Sequence, residues 1–379
     1  MIKSFKVRLY PTRAQEALMW QHIGSCRYIW NWMLAKQQEL YTAGEKHLPA
    51  FSMIKLLTPL KNDGEHGWLY DVSHASLQIV CQDLQKAYDR FFKKTSGFPK
   101  FKSRKRSKPS YPVRGDRFYF VDTKMVQIQK LGKVRYKTDF NLPPGRGHKF
   151  SNPRITNHNG KWMLSFGMEC ENQAPQLTDA SIGIDLGVKD LAIAEHNGTK
   201  IVFPNINKSA RMRRLTKKQE HLQRSISRKY EANKQGARFV RTRNIERLEN
   251  ELRRISARIA NIRANYIHQC THAIVSLLPR QIVMEDLNVT GMMKNRHLAK
   301  SIQEQGFCEF IRQMGYKTSW LGIDFIQADR FYPSSKTCSC CGNIKKDLKL
   351  SDRLYKCDVC GAVIDRDYNA AINLSRYVA

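Results

Sequence analysis

Two pairs of cysteines near the C-terminus constrain the fold of this chain more than any other feature. Cys338 and Cys341 form one C-x2-C pair, Cys357 and Cys360 form a second, and fifteen residues separate the pairs. Each pair lets two thiolates converge on one ion, and two pairs complete a tetrahedral four-sulfur site with no open ligand position. We therefore predict one structural zinc ion that folds this segment and takes no part in catalysis.

The surrounding residues agree with a metal site. Gly342 and Gly361 each follow a pair, which suits the tight turns around a metal ion. Cys340 lies between two of the expected ligands, and we expect it not to bind. Five of the ten cysteines fall in this stretch, which in a reducing compartment favours metal binding over disulfides. The alternative is a group of buried thiols without a metal.

The net charge indicates a polyanionic partner. The 379 residues include 65 Lys and Arg against 33 Asp and Glu, which gives a formal charge of +32. Nucleic acid is the commonest polyanion that neutralises such a charge. A hydrophobic content of 41% excludes a disordered basic tail, and the length predicts two or three folded units. No apolar run approaches the roughly 18 residues of a membrane span, and the N-terminus lacks a signal peptide's apolar block, so we expect a cytosolic protein without a membrane partner.

The first hundred residues predict a strand followed by a helical unit. Residues 5–9 alternate between apolar and charged side chains, and Pro11 ends this strand. Thr12 and Gln15 have the spacing of a capping box, which predicts a helix start. A second helix is predicted by an apolar stripe at spacings of three and four, which consists of Leu77, Val80, Leu84, Ala87 and Phe91. Residues 12 to 94 are therefore predicted to be mostly helical.

The next stretch is dense in cations and aromatic rings. Residues 100–137 contain 13 Lys and Arg and two Asp, and short alternating segments predict a small β unit that continues to residue 179. Cations on strands bind phosphates and rings stack on bases, although buried rings and solvated cations are the alternative. For the rings, burial in the core is favoured over stacking on bases. For the cations, nucleic-acid binding is favoured over simple solvation. The candidate ligands are Lys100, Lys102, Arg104, Lys105, Arg106, Lys108, Arg114 and Arg117.

A second basic stretch is predicted to be helical. Residues 208–263 carry 18 Lys and Arg against five Glu. Apolar residues from Leu248 to Tyr266 recur at spacings of three and four, which predicts an amphipathic helix, and Gly236 separates it from an earlier one. By itself this pattern favours a helical hairpin with solvated charges.

Acidic residues follow three separate apolar runs. Asp185 ends the run Ile182-Gly183-Ile184, Glu285 ends Ile282-Val283-Met284, and Asp365 and Asp367 lie where a short apolar segment opens a helix. Three carboxylates on separated strands can hold two Mg²⁺ ions for attack on a phosphodiester. Each motif alone is also explained by a capping or surface carboxylate. Gly-Ile-Asp-Leu-Gly is found as well in the phosphate loop of actin-like ATPases, but Val188-Lys189 follows here and no glycine-rich run appears downstream.

Several of these motifs occur together in one known family. They are Asp185 in Gly-Ile-Asp-Leu-Gly, Glu285 in Glu-Asp-Leu, the four cysteines after Ser334-Ser335-Lys336-Thr337, and Asp365-Arg366-Asp367-x-Asn369-Ala370-Ala371. The start Leu9-Tyr10-Pro11-Thr12 and the segment Gly97-Phe98-Pro99-x-Phe101-Lys102 also match. Together they resemble the TnpB (OrfB) family of transposon-encoded proteins over nearly the whole chain.

The resemblance implies a multidomain α+β protein similar to compact type V CRISPR effectors. It implies a β-barrel wedge domain at 1–10 and 99–179, a helical recognition domain at 11–98, a ribonuclease H-like (RuvC) nuclease domain at 180–335 and 363–379, and a zinc ribbon inserted at 336–362. The implied activity is RNA-guided DNA cleavage.

The expected partners are a guide RNA from the transposon end and double-stranded target DNA with a short flanking motif. Asp185, Glu285 and Asp367 are the expected ligands of two catalytic Mg²⁺ ions, with Asp365 as an alternative third carboxylate. Two other functions share the charge and the zinc site. One is a DNA-binding repressor without catalysis, and the other is a DNA strand transferase.

Overall fold

The computed structural model describes residues 1–171, 175–349 and 352–378. The chain divides into two compact units, Met1–Glu171 and Asn172–Ala379. Within the described ranges, no helix is long and apolar enough to cross a membrane.

The first unit combines helices with an antiparallel sheet. Its helices are α1 (Arg13–Thr42), α2 (Ala50–Lys55), α3 (Leu57–Lys61) and α4 (His74–Phe92), with 3-10 turns at Gly67–Tyr70 and Gly115–Arg117. Its strands are β1 (Ile2–Tyr10), β2 (Ser110–Pro112), β3 (Phe118–Phe120), β4 (Met125–Ile128), β5 (Gly132–Lys137), β6 (Phe150–His158) and β7 (Lys161–Glu169). The strand order β2-β6-β7-β1-β5-β4-β3 places the N-terminal strand in the middle of the sheet.

Local sequence signals account for the starts of these elements. The backbone N–H of Gln15 donates to the Thr12 hydroxyl at 3.3 Å, and the Gln15 side chain accepts from the Thr12 N–H at 3.0 Å. The predicted capping box at the start of α1 is therefore confirmed. In α4 the predicted stripe is also confirmed, because Leu77 and Leu84 are fully buried in the core.

The aromatic residues near the basic stretch divide into two groups. Phe118 and Phe120 are buried, and their rings pack with the buried rings of Phe150 and Phe166. Phe98 and Phe101 precede the sheet and are 42% and 54% exposed. The rings on the strands are thus core, as favoured, whereas the two rings before the strands are available to a partner.

The second unit contains a mixed sheet, a long helical hairpin and a cysteine-rich segment. Its helices are α5 (Ala210–Ala232), α6 (Arg243–Val275), α7 (Val289–Met292), α8 (Arg296–Gln305), α9 (Phe307–Leu321) and α10 (Arg366–Ser375), with a 3-10 turn at Ile206–Lys208. Its strands are β8 (Ser181–Leu186), β9 (Asp190–His196), β10 (Thr199–Pro204), β11 (Lys234–Gln235), β12 (Arg238–Phe239), β13 (Gln281–Glu285), β14 (Asp324–Ala328), β15 (Leu354–Lys356) and β16 (Val363–Asp365).

Five of these strands form the central sheet in the order β10-β9-β8-β13-β14. The hairpin strands β9 and β10 run antiparallel to their neighbours, whereas β13 runs parallel to both β8 and β14. Buried isoleucines on β8 and β13 pack against residues from α6, α8 and α9. Helices α5 and α6 pack through the predicted apolar seam, and Gly236 lies in the small hairpin between them with a φ of +57°.

Helix α10 crosses β8 at a glycine. A Cβ at Gly183 would overlap the carbonyl oxygen of Ala371 and the backbone nitrogen of Ser375, and would lie 2.9 Å from the carbonyl carbon of Leu374. Ala371 and Leu374 are fully buried on this face of the helix. The helix can therefore lie this close to the strand only because residue 183 has no side chain.

We expect Gly183→Ala to destabilise the second unit by about 3 kcal/mol, because the added methyl overlaps backbone that cannot rotate away. Urea denaturation measures this loss. Gly315→Ala in α9 is the matched control, since a Cβ there meets nothing within 4 Å. The control should be neutral or more stable, because alanine is the better helix former. Equal stability of the two variants would contradict the close approach.

Candidate metal centres

Two of the predicted carboxylates lie at the same edge of the central sheet. Asp185 is the fifth residue of β8, and Glu285 is the last residue of β13. These strands run parallel, and Met284 pairs with Ile184, so Glu285 and Asp185 are the next residues of each strand. Both carboxylates therefore lie side by side at the carboxyl ends of neighbouring strands, and both are half-buried.

The third carboxylate is positioned by α10. Ala371 lies over Gly183, and Asp367 is one helical turn before Ala371 on the same face. Asp185 is two residues after Gly183, on the same face of the strand. The same contact that seats the helix thus brings Asp367 towards Asp185.

The electrostatics of Asp185 reflect these neighbours. Burial and the nearby carboxylates of Glu285 and Asp367 raise the pKa of Asp185 well above its usual range, and Arg366 opposes the shift. Like charges at close range disfavour ionisation unless a cation lies between them. Oxygen-only donors in this arrangement suit a hard divalent cation.

Asp365 has a different local role. Its side chain is the N-cap of α10 and accepts from the backbone N–H of Tyr368 at 3.0 Å. Its carboxylate also pairs with Lys200 at 3.3 Å. These contacts give Asp365 a capping role, although its carboxylate also contributes to the raised pKa of Asp185. Asp367 lies on the face of α10 that packs against β8.

Polar groups hold the other two carboxylates. The Ser334 hydroxyl donates to Oε1 of Glu285. Asp367 pairs with Arg366 at 3.1 Å and with Arg353 at 3.8 Å. The carboxylates of Glu285 and Asp367 are thus each oriented by a neighbouring side chain before any ligand binds.

The four predicted cysteines converge at one point. The sulfurs of Cys338 and Cys360 are 3.6 Å apart, and those of Cys341 and Cys357 are 3.5 Å apart. A tetrahedral ion with bonds of about 2.3 Å places its sulfurs about 3.8 Å apart, so the spacing fits zinc. Among the described residues, these four cysteines form a set of possible metal ligands whose atoms all lie within 4.8 Å of one another.

The two cysteine pairs have the same local geometry. The N–H of Gly342 donates to the Cys338 carbonyl at 2.9 Å, and the N–H of Gly361 donates to the Cys357 carbonyl at 3.1 Å. Both glycines have a φ above +70°. The backbone N–H groups of Cys360 and Val359 lower the pKa of Cys357 to about 6, which favours the thiolate that a metal binds. Cys340 is exposed and is not part of the set.

Comparisons with known proteins identify the family of this chain. Family models match at residues 1–46 (helix-turn-helix domain), 165–296 (probable transposase) and 307–374 (Cas12f1-like, TNB domain). The putative RNA-guided DNA endonuclease InsQ of Escherichia coli K12 is 33% identical over 98% of this chain and 91% of its own length. The chain belongs to the TnpB (OrfB) family.

Other relatives extend this finding. A putative RNA-guided DNA endonuclease of Streptomyces pristinaespiralis is 30% identical and covers 98% of the chain and 88% of its own length. A TnpB-like protein of Acanthamoeba polyphaga mimivirus, L770, is 23% identical over 98% of the chain and 72% of its own length. A solved Cas12f1–sgRNA–target DNA complex superimposes with a TM-score of 0.38 at 16% identity over 99% of each chain, and the family assignment rests on the sequence relatives alone.

In this TnpB-family chain, α10 also binds the cysteine-rich segment. The Asn369 side chain accepts from the N–H of Ser339 at 3.0 Å and donates to the carbonyl of Thr337 at 2.6 Å. One turn later, Asn373 donates to the carbonyls of Ser334 and Thr337, each at 2.7 Å. Residues 334–339 are therefore fixed to the helix that carries Asp367, and their first residue contacts Glu285.

Sequence reasoning named candidate ligands in this TnpB-family chain but missed these connecting residues. The signal was present, because Asn369 and Asn373 are one helical turn apart in a helix that buries its opposite face on the sheet. Buried amides at such a spacing need partners, and the partners here are backbone groups 30 or more positions away.

The predicted nucleic-acid ligands of the first unit lie in different environments. Arg114 and Arg117 pair with Asp116 at 2.9 and 3.6 Å. Lys102 is half-buried with its Nζ 3.5 Å from the centre of the Trp30 ring, and burial lowers its pKa to about 8. The other candidates, which are Lys100, Arg104, Lys105, Arg106 and Lys108, are exposed.

The cysteine geometry predicts one tetrahedrally bound metal ion per chain. Cys338→Ser should lose this ion, because three thiolates and a hydroxyl bind far more weakly than four thiolates. Elemental analysis of the purified protein measures the metal content. Cys340→Ser is the matched control and should retain the ion, since Cys340 lies two residues away outside the set. Equal metal contents in the two variants would refute the assignment of ligands.

Proposed function

We propose that this chain is the RNA-guided DNA endonuclease of a transposable element and hydrolyses phosphodiester bonds with Mg²⁺. The observation that carries the proposal is the meeting of Asp185, Glu285 and Asp367 at one sheet edge, reached from three distant segments of the chain. The two relatives with at least 30% identity that are named above are described as putative RNA-guided DNA endonucleases. The residues of both metal centres are present here, which favours an active nuclease over a silent DNA-binding repressor.

The proposed domain layout follows the resemblance. Residues 180–335 and 363–379 form the RuvC-like nuclease domain, and residues 336–362 form the inserted zinc ribbon. The sheet order β10-β9-β8-β13-β14, with three hairpin strands followed by two parallel crossovers, supports a ribonuclease H-like core. In the first unit, β1 pairs with β5 and β7, which supports a wedge domain made of 1–10 and 99–179 around a helical recognition domain at 11–98.

The chain's own residues have distinct roles at the proposed catalytic centre. Asp185, Glu285 and Asp367 would hold two Mg²⁺ ions. When bound, such ions supply activation of a water molecule and stabilisation of charge on the leaving oxygen. Ser334 fixes one oxygen of Glu285, and Arg366 and Arg353 orient Asp367.

The two centres take different metals because their donor atoms differ. Soft thiolates select zinc, whereas carboxylates select Mg²⁺. A closed four-thiolate site offers no position for water, so we assign the zinc a structural role. When bound, it would stiffen residues 334–339, which contact both Glu285 and α10.

The partners that we propose are a guide RNA from the transposon end and double-stranded DNA with a short flanking motif. In proteins that use guide RNA, base pairing reads the sequence and cations bind the backbone of the duplex. The exposed cations between Lys100 and Lys108 and those of the α5–α6 hairpin supply such contacts. Residues 100–108 carry a net charge of +6 and residues 208–263 a net charge of +13, which together are +19 of the charge of +32.

We expect Asp185→Asn and Glu285→Gln each to lower the rate of guided DNA cleavage by about a hundredfold or more, because metal-bound charge stabilisation contributes several kcal/mol. Gel assays with Mg²⁺ and with EDTA measure this rate. Guide RNA binding should be unchanged. Asp286→Asn is the matched control, since Asp286 adjoins Glu285 but pairs with Arg330.

Cleavage at the wild-type rate by Asp185→Asn would contradict the catalytic role of the carboxylate. Absence of cleavage by the wild-type protein with its guide would favour the repressor. Joined DNA products would favour strand transfer.

The choice between Asp367 and Asp365 has a separate test. Asparagine caps a helix as well as aspartate does, so Asp365→Asn should preserve α10 and most of the cleavage rate. Asp367→Asn should lower the rate as much as Asp185→Asn does. The same cleavage assay measures both, and the reverse order of the two rates would assign the third ligand to Asp365.

A further inference from the structure

A groove in the first unit has no part in the proposed chemistry. It is lined by Gly24 and Tyr28 of α1 and by the rings of Trp68 and Phe101. The cavity volume is 670 Å³. Trp68 is 38% exposed and Phe101 is 54% exposed. Two large, partly exposed rings therefore line one concave surface, which is typical of a binding site.

The rings are held in place without a ligand. The Tyr28 hydroxyl hydrogen-bonds to Nε2 of His66, and Nδ1 of His66 lies 2.5 Å from the Asp63 carboxylate. Although burial opposes ionisation, hydrogen bonds from His66 and from two backbone N–H groups lower the pKa of Asp63. The Trp68 ring then packs edge-on against Tyr28, with ring centres 5.3 Å apart. These contacts hold the Trp68 ring in position beside the groove.

The segment that carries Phe101 is anchored through the backbone on both sides of this residue. The indole N–H of Trp30 donates to the carbonyl of Lys100 at 3.0 Å. The Asn31 side chain donates to the carbonyl of Lys102 at 2.9 Å and accepts from its N–H at 2.7 Å. Phe101 is therefore exposed although its neighbours are fixed, and a ligand that stacks on it loses little entropy on binding.

Cations lie along the groove. Arg27 borders it, and among the described residues no carboxylate forms an ion pair with Arg27. An adjoining cleft of 630 Å³ shares Gly24 and Arg27 with the groove and is lined by Lys102, Arg104 and Lys108. Its one carboxylate among the described lining residues, Asp83, pairs with Arg154. Positive charge thus continues from the rings into the second cavity, as the backbone of a polyanion requires.

We propose that this groove binds an unpaired DNA strand, with bases stacked on Trp68 and Phe101 and a phosphate on Arg27. Bases in a duplex stack on one another and expose only their edges, so open rings select unpaired nucleotides. The proposal rests on the proposed function, because a guide that pairs with one strand of a target displaces the other.

The test is binding of a fluorescent single-stranded DNA to the full-length protein in EDTA. Trp68→Ala should weaken binding about tenfold, since stacking on one ring contributes about 1–3 kcal/mol. Tyr41→Ala is the matched control, because Tyr41 is 85% exposed on α1 and lies outside the groove. Arg27→Gln should weaken binding more than Arg13→Gln, which makes the same charge change at the exposed start of α1.

A third variant tests the groove without removing a contact. A Cβ at Gly24 meets nothing within 4 Å, so Gly24→Leu should preserve α1. The leucine side chain should occupy part of the groove and weaken DNA binding. Urea denaturation checks that each variant is folded. Ultraviolet cross-linking should place the DNA adduct on the peptides that carry Trp68 or Phe101.

The proposal would be overturned if the Tyr41 or Arg13 control weakened binding equally, or if the adduct lay elsewhere. It would also be overturned if the groove variants lost duplex binding and single-strand binding equally. A preference of the groove for RNA of the same sequence would overturn the assignment to DNA. Because the assay needs neither guide nor cleavage, its failure is distinct from failure of the nuclease function, which the Asp185→Asn assay measures.

Discussion

The contact between α10 and β8 at Gly183 is the constraint on which the second unit depends. A helix normally packs on a sheet through side chains, which keep the two backbones apart. Here the strand has no side chain at the crossing and the helix has alanine, so the backbones lie much closer. This distance sets how far Asp367 is from Asp185. The proposed carboxylate site, which spans a helix and two strands, therefore depends on the absence of a side chain at residue 183.

The cysteine cluster acts on the same helix from its other side. Asn369 and Asn373 bind the backbone of residues 334–339, which leads into the first C-x2-C pair. Ser334 at the start of that segment contacts Glu285. An ion held by four thiolates would therefore stiffen the segment that touches Glu285 and is bonded to the helix that carries Asp367. This gives a physical reason for a structural metal beside the proposed catalytic one.

Much of this could be predicted from local sequence. The features that could be predicted depend on residues within a turn or two of each other. They are the capping box of α1, the apolar stripe of α4, the strands that carry Asp185 and Glu285 at or near their ends, and the C-x2-C pairs. What could not be predicted depends on partners distant in sequence. The Ser334–Glu285 contact joins residues 49 positions apart, and the clash that requires Gly183 comes from α10. Lys102 was predicted to bind nucleic acid because it lies in a cation-rich stretch. Its position over the Trp30 ring follows only from the folded loop.

The central claim is that Asp185, Glu285 and Asp367 together bind the catalytic ions. Crystals of the protein with guide RNA and target DNA, soaked in Mn²⁺ and measured at the manganese absorption edge, test it most directly. The account predicts two anomalous peaks about 3.5–4 Å apart among these three carboxylates, and a separate zinc signal at the four cysteines. Manganese bound elsewhere, with the three carboxylates free of metal, would contradict it.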